Sequence, residues 1–299
     1  MCLLIALSGV LADAPLLMAA NRDESYARPA EVITVLRDGG PRILGGRDLV
    51  AGGTWLAVNE HGLVAGLTNQ PTGQARDDTR RSRGELPLAF AAYPDAVTAV
   101  AKVCAGLDPS AYNPCWLLVG DRRSLFSVGL TSGRHPVVRQ LPPGSYVLEN
   151  VPLDDYSAKA QQVTEMVTAG IAGKTGGNGA SGVHEAGKTA GTHGVSERDE
   201  PSGGDAAGMG SAERALAAVL RDHRPAIGPQ VPAAGGQARP AELSAACVHT
   251  ASYGTRSAMI VSVGVTGLPR VLVTHGPPCQ APFQDATGLW TAPGRDSTR

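Results

Sequence analysis

The sequence predicts an α+β fold in which sheets pack face to face and helices cover their outer sides. Three observations carry this. Apolar runs short enough for strands dominate both ends of the chain, and helical spacing is confined to the middle. The turn Asn59-Glu60-His61-Gly62 joins two apolar runs as a hairpin, the mark of antiparallel pairing. With 299 residues, 42% hydrophobic and 18% charged, the chain has the composition of a globular protein with an ample core.

The elements follow in order. Residues 2–7 and 15–20 read as two buried strands joined at 9–14. They do not read as a signal peptide, because no positive charge precedes them, Asp13 interrupts them and Pro15 follows closely. A membrane span needs about 20 unbroken apolar residues, which these runs lack. Residues 21–29 are polar and read as a loop at the end of the second strand. Short strands are expected at 31–36 and 42–44. Residues 52–58 and 63–68 form a hairpin around the turn at 59–62, and the second arm ends at Asn69. The pair Gly52-Gly53 reads as a turn that also lets backbone approach a ligand. Residues 76–83 form a charged loop.

Residues 84–107 have helical spacing broken by Pro94, so two short helices are expected. Residues 115–120, 125–130 and 136–140 form a meander, and 145–148 is a further strand before Glu149-Asn150. An amphipathic helix covers 155–169, with Asp154 or Asp155 as its cap. Residues 173–211 are crowded with Gly, Ala, Thr and Ser, and cannot bury enough surface to offset ordering entropy. They read as a disordered insertion before a helix at 212–222, and 225–240 reads as a shorter flexible loop. Strands at 247–250, 257–263 and 270–274 complete the fold, with a frayed tail from about residue 287. The whole reads as one domain, 1–299.

Composition excludes several functions. The net charge of −1, the lack of a basic run and 4% aromatics argue against nucleic acid as a partner. The five cysteines, Cys2, Cys104, Cys115, Cys247 and Cys279, are odd in number, and no Cys/His pair has zinc-finger spacing. A reduced, cytoplasmic protein with no metal and no cofactor is expected. Cys104 and Cys115 read as inert core thiols, Trp55 and Trp116 as core. His61, His135, His249 and His275 read as ordinary turn or strand residues. Residues 182–189 match the phosphate-loop pattern G-x-x-x-x-G-K-T, but neither a strand nor a helix flanks them, so nucleotide binding is rejected.

The chemistry points to Cys2. Removal of Met1 would give one residue both a thiol and a free α-amine of pKa about 7.7–8.0, able to act as its general base. Acyl transfer then needs an orienting group, oxyanion donors and positive charge. Asp23 is the candidate to orient the amine. Asn69 and Asn150, each after a strand, are candidates for the oxyanion hole. Arg22 and Arg256 are candidates for the positive charge. Taken singly, each also reads as a turn residue or a surface salt bridge, and Cys2 as a small buried hydrophobe.

Together these residues resemble a family. Met1-Cys2 and Ala20-Asn21-Arg22-Asp23-Glu24, followed by Arg28-Pro29, resemble the signature of the NRDE family, the transport and Golgi organisation protein 2-like proteins. The resemblance continues through 52–56, 67–69, 82–85, 112–113, 148–150 and 253–256. It implies a four-layer αββα sandwich of the N-terminal-nucleophile hydrolase type. It also implies the roles just given to Cys2, Asp23, Asn69, Asn150 and Arg256, by analogy with penicillin V acylases and bile-salt hydrolases. Those enzymes carry an Arg three residues before the Asp, where this chain has Ala20, so Arg22 would have to stand in from another position. The implied activity is cleavage of a linear, non-peptide amide through an acyl-enzyme. The alternative implied by the resemblance is a non-catalytic haem or lipid carrier.

Overall fold

In this computed structural model the described residues are 2–72, 75–131, 133, 135–172, 204–228 and 240–291. The strands are β1 (Cys2–Ser8), β2 (Leu16–Ser25), β3 (Ala30–Arg37), β4 (Ile43–Asp48), β5 (Leu56–Asn59), β6 (Val64–Asn69) and β7 (Cys115–Gly120). They continue with β8 (Leu125–Leu130), β9 (Val137–Leu141), β10 (Gly144–Leu148), β11 (Tyr253–Val263), β12 (Arg270–Thr274) and β13 (Phe283–Asp285). The α-helices are α1 (Glu85–Ala91), α2 (Ala96–Ala105), α3 (Ala158–Ala172) and α4 (Ser211–Leu220).

Strand alternation builds the layers. On β1 and β2, Leu4, Ala6, Leu16, Met18 and Ala20 point one way, into a core shared with Leu44, Leu56, Val58, Val64 and Leu118 of the other sheet. Leu3, Ile5, Leu7, Leu17 and Ala19 point the other way, against Val163, Val167, Leu216 and Leu220 of α3 and α4. The second sheet repeats the pattern: Ala57, Ala65, Leu117 and Val119 pack on Leu86, Phe90, Ala96 and Val100 of α1 and α2. Each fully buried Leu, Ile or Phe contributes about 1.5–3 kcal/mol. The result is the four-layer αββα sandwich. One sheet has the order β10-β1-β2-β11-β12-β13 and the other runs β3 to β9 in sequence. All the strand pairs are antiparallel.

Four local expectations are corrected. The polar stretch after the second strand is not a loop: β2 runs on to Ser25, because Tyr253–Val263 pairs along its full length. Neither Asp154 nor Asp155 caps α3, since Ser157 Oγ accepts from Ala160 N (3.1 Å) and donates to Glu149. Residues 247–250 form no strand; a lone bridge pairs His249 with Gly254. The tail does not fray at 287. Trp290 is buried in the core between the sheets, and its indole N–H donates to Pro269 O at 2.7 Å.

The expected insertion lies outside the described residues over 173–203, and so does the 182–189 motif. Its last eight residues are described and make packed contacts. Asp205 pairs with Arg221, Ala206 N donates to Phe283 O (2.7 Å), and Met209 is buried against α4. Of the 225–240 loop, residues 229–239 are likewise outside the described set. Among the described residues no helix is long and apolar enough to cross a membrane.

Candidate active site

Cys2 opens β1 and pairs in register with Arg22 of β2. By alternation both side chains emerge on the face that looks at the second sheet, at the open edge of the core between the sheets. The cavity there encloses about 110 Å³. Its walls include Cys2, Arg22, Asp23, Asn69, Arg83 and Trp55. Gly53 makes the wall possible: a Cβ there would sit 2.6 Å from the Gly84 backbone, whose carbonyl accepts from Thr54 N at 2.9 Å.

The run Asn21-Arg22-Asp23 is buried, at 0%, 4% and 2% exposure, and each side chain has a specific partner. Asn21 Nδ2 donates to Leu220 O (2.9 Å) and Ala246 O (2.8 Å), tying the end of α4 and the chain before β11 to the sheet. Arg22 lies 4.5 Å over the Trp55 ring and donates to Asp48 Oδ2 at 3.2 Å. Arg28 grips the same Asp48 carboxylate with two hydrogen bonds, at 2.6 and 3.0 Å. Asp23 accepts from Thr255 Oγ1 (2.6 Å), and Lys159 Nζ lies 3.8 Å from its other oxygen. A buried carboxylate needs such partners, since an unpaired charge in this setting would neutralise.

The electrostatics of the pair are set by burial. Burial pushes the Cys2 thiol above its ordinary value. The amino-terminal charge, a hydrogen bond from the Asp23 backbone N–H and the Arg22 charge pull it back, while the Asp23 carboxylate adds to the rise. Burial likewise raises Asp23, against the pull of Lys159, the amino-terminal charge and the Thr255 hydrogen bond. Burial also raises the two thiols expected to be inert, Cys104 to about 11 and Cys115 to about 12.

The cavity gathers Cys2, Arg22, Asp23 and Asn69. Asn150 stands one step behind: it is buried, and its Nδ2 donates to the Asn69 backbone carbonyl, which fixes the end of β6. Arg256 is not brought to the cavity. Its Nη1 donates to Ser25 O (3.0 Å) and Tyr26 O (2.5 Å), and its guanidinium lies 5.7 Å over the Tyr26 ring. The strand irregularity between Thr255 and Ser257 turns Arg256 toward that corner. Other arginines line the cavity, among them Arg22 and Arg83, the latter donating to Pro114 O at 3.2 Å. No carboxylate lies within ion-pair distance of Arg83 among the described residues. Burial lowers its pKa, and Cys2 is among the groups that favour its charged form. Arg83 was legible only as part of the 82–85 motif. Lys159 carried no sequence signal, because nothing in an amphipathic helix marks which lysine turns inward.

The Transport and Golgi organisation 2 family matches residues 1–272. The chain belongs to that family. The match runs through both sheets as far as Leu272 within β12 and leaves out β13. Among curated relatives, the chain is 34% identical over 148 residues to the Transport and Golgi organization protein 2 homolog of Bos taurus, and 33% identical to that of Homo sapiens. Each match covers 46% of this chain and 51% of the relative, so the chain spans about half the length of the curated relatives it matches. Among solved structures, it is similar to a mutant conjugated bile acid hydrolase from Clostridium perfringens, with 13% identity and a TM-score of 0.47 over 96% of this chain and 92% of that one. It is also similar to penicillin V acylase from Agrobacterium tumefaciens, with 12% identity and a TM-score of 0.43 over 98% and 89% of the two chains.

Proposed function

We propose that this family member is an N-terminal cysteine amidohydrolase that cleaves a linear, non-peptide amide after Met1 is removed. The observation that carries the reading is that Cys2, the first strand residue, shares one cavity with Arg83, Asn69 and Asp23. Met1 lies outside the described residues; its removal would turn the Cys2 backbone nitrogen into the general base.

The Cys2 sulfur attacks the amide carbon, and its proton passes to the α-amine. Asn69 donates to the oxyanion, held in place from behind by Asn150. Asp23, anchored by Thr255 and Lys159, orients the ammonium. The C–N bond breaks and the amine leaves with the proton held by the ammonium. Water then adds to the thioester, and the acid leaves as the thiol re-forms. Arg83 and Arg22 favour thiolate and oxyanion over their neutral forms.

A second reading is a non-catalytic haem or lipid carrier. The upward push of burial on the Cys2 thiol favours it, since a protonated thiol is a weak nucleophile. The relatives' names also speak of transport. A panel of acyl amides assayed with the wild type and Cys2→Ala separates the two. Turnover abolished by Cys2→Ala supports the hydrolase. Absence of turnover with haem or fatty acid binding that survives Cys2→Ala supports the carrier.

A further inference from the structure

Three separate stretches of chain converge behind Asp23. His223 follows α4, Cys247 and His249 lie on the approach to β11, and Cys279 lies between β12 and β13. Cys247 Sγ is 3.6 Å from Cys279 Sγ and 3.5 Å from His249 Nε2, and His249 Nε2 is 3.1 Å from Cys279 Sγ. The ligating atoms of His223, His249 and Cys279 all lie within 4.8 Å of one another. Zinc bonds of about 2.3 Å to sulfur and about 2.0–2.1 Å to nitrogen, set tetrahedrally, give edges of roughly 3.8 Å between sulfurs and roughly 3.6 Å between sulfur and nitrogen. The separations among Cys247, His249 and Cys279 lie within about 0.5 Å of those edges, and His223, exposed after α4, swings inward to complete the set.

The backbone around these ligands is held from several sides. Cys247 N donates to Asp222 O at 2.8 Å, joining the two ligand-bearing stretches. Asn21 bonds the carbonyls of Leu220 and Ala246 on either side. Val248 N donates to Thr255 Oγ1 (2.8 Å), the hydroxyl that also donates to Asp23. Gln280 N and Ala281 N both donate to Pro277 O, forming the turn that presents Cys279. Such support lets a site hold its ligands at the required geometry.

We propose that His223, Cys247, His249 and Cys279 form a Cys2His2 site for a tetrahedral divalent cation of the zinc class. Two thiolates and two imidazoles match this borderline-soft ion, and four protein ligands leave no open position, so the site is structural. The ion clasps α4, the approach to β11 and the β12–β13 loop together and stiffens the Thr255–Asp23 contact. The proposal stands apart from the role of Cys2. It departs from the sequence expectation of no metal, because the ligands are 24, 2 and 30 residues apart and only the fold assembles them.

The test is cobalt(II) titration of the reduced, metal-free full chain, read by the visible and near-ultraviolet bands of tetrahedral thiolate coordination. Zinc competition and intact native mass follow. One ion per chain is expected, displaced by zinc. Affinity should drop about tenfold or more in His223→Ala and in Cys279→Ser, and stay unchanged in Cys2→Ser. Circular dichroism of each variant separates loss of a ligand from loss of the fold. Absence of thiolate bands with the folded, reduced wild type overturns the proposal. So does cobalt binding that is lost in Cys2→Ser or retained at full strength in Cys279→Ser.

Discussion

Arg83 and Arg256 stand in different surroundings. Arg83 lies in the cavity with Cys2, whereas Arg256 is engaged by the carbonyls of Ser25 and Tyr26. Arg83→Ala is therefore expected to cut turnover about a hundredfold or more and to slow alkylation of Cys2. Arg256→Ala should leave both near wild type and lower stability by about 1–3 kcal/mol, as carbonyls lose a charged donor. Alkylation rates and urea midpoints of the two variants check this. The Cys2 thiol adds a pH signature. Its raised pKa means the folded state prefers the protonated form, so this contribution to stability is present below pH 9.0 and is lost as pH rises through the folded-state value. In a chain that keeps Met1, Cys2 labelling should be slow near neutrality and still climbing past pH 9. A plateau below pH 8 would contradict that electrostatic account.

At the scale of elements, the wall formed by the approach to β5 and the turn before α1 depends on Gly53 meeting Gly84 without side chains. Gly53→Ala drives a Cβ to 2.6 Å from backbone. It should cost about 1–3 kcal/mol and impair turnover more than an equally destabilising core change, measurable by urea unfolding and kinetics together. Most elements were legible in the sequence. The two helices split at Pro94 fall at Glu85–Ala91 and Ala96–Ala105, and the meander expected at 115–140 is found as β7 to β9. What escaped was burial of polar residues. Asn21, Arg22 and Asp23 read as loop because their partners, Leu220, Ala246, Asp48 and Thr255, come from distant stretches of chain. Cys2, Asp23 and Asn69 were legible as a set. Lys159 was not, and Arg83 only as part of the 82–85 motif, since only packing distinguishes them from surface cations.

For the whole molecule, the long-range closures are the part no local pattern encodes. Strand β10 leaves the meander and joins β1, and β11 completes the other side of β2. The chain after β13 then returns to the core between the sheets, where Trp290 is buried and Arg42 Nε donates to Leu289 O at 3.1 Å. Trp290→Ala should destabilise by about 3–5 kcal/mol through loss of that packing, read as a lower urea midpoint with an unchanged slope. A silent substitution would mean that residues 287–290 do not close the sandwich.

If Cys2 becomes a free N-terminal nucleophile, intact mass spectrometry of the purified chain after a brief exposure to an activated acyl donor will show it. Loss of Met1 and one thioester adduct are expected, the adduct mapped to Cys2 and missing in Cys2→Ala. Retention of Met1 in a host with active methionine aminopeptidase, or an adduct that persists in Cys2→Ala, would contradict it.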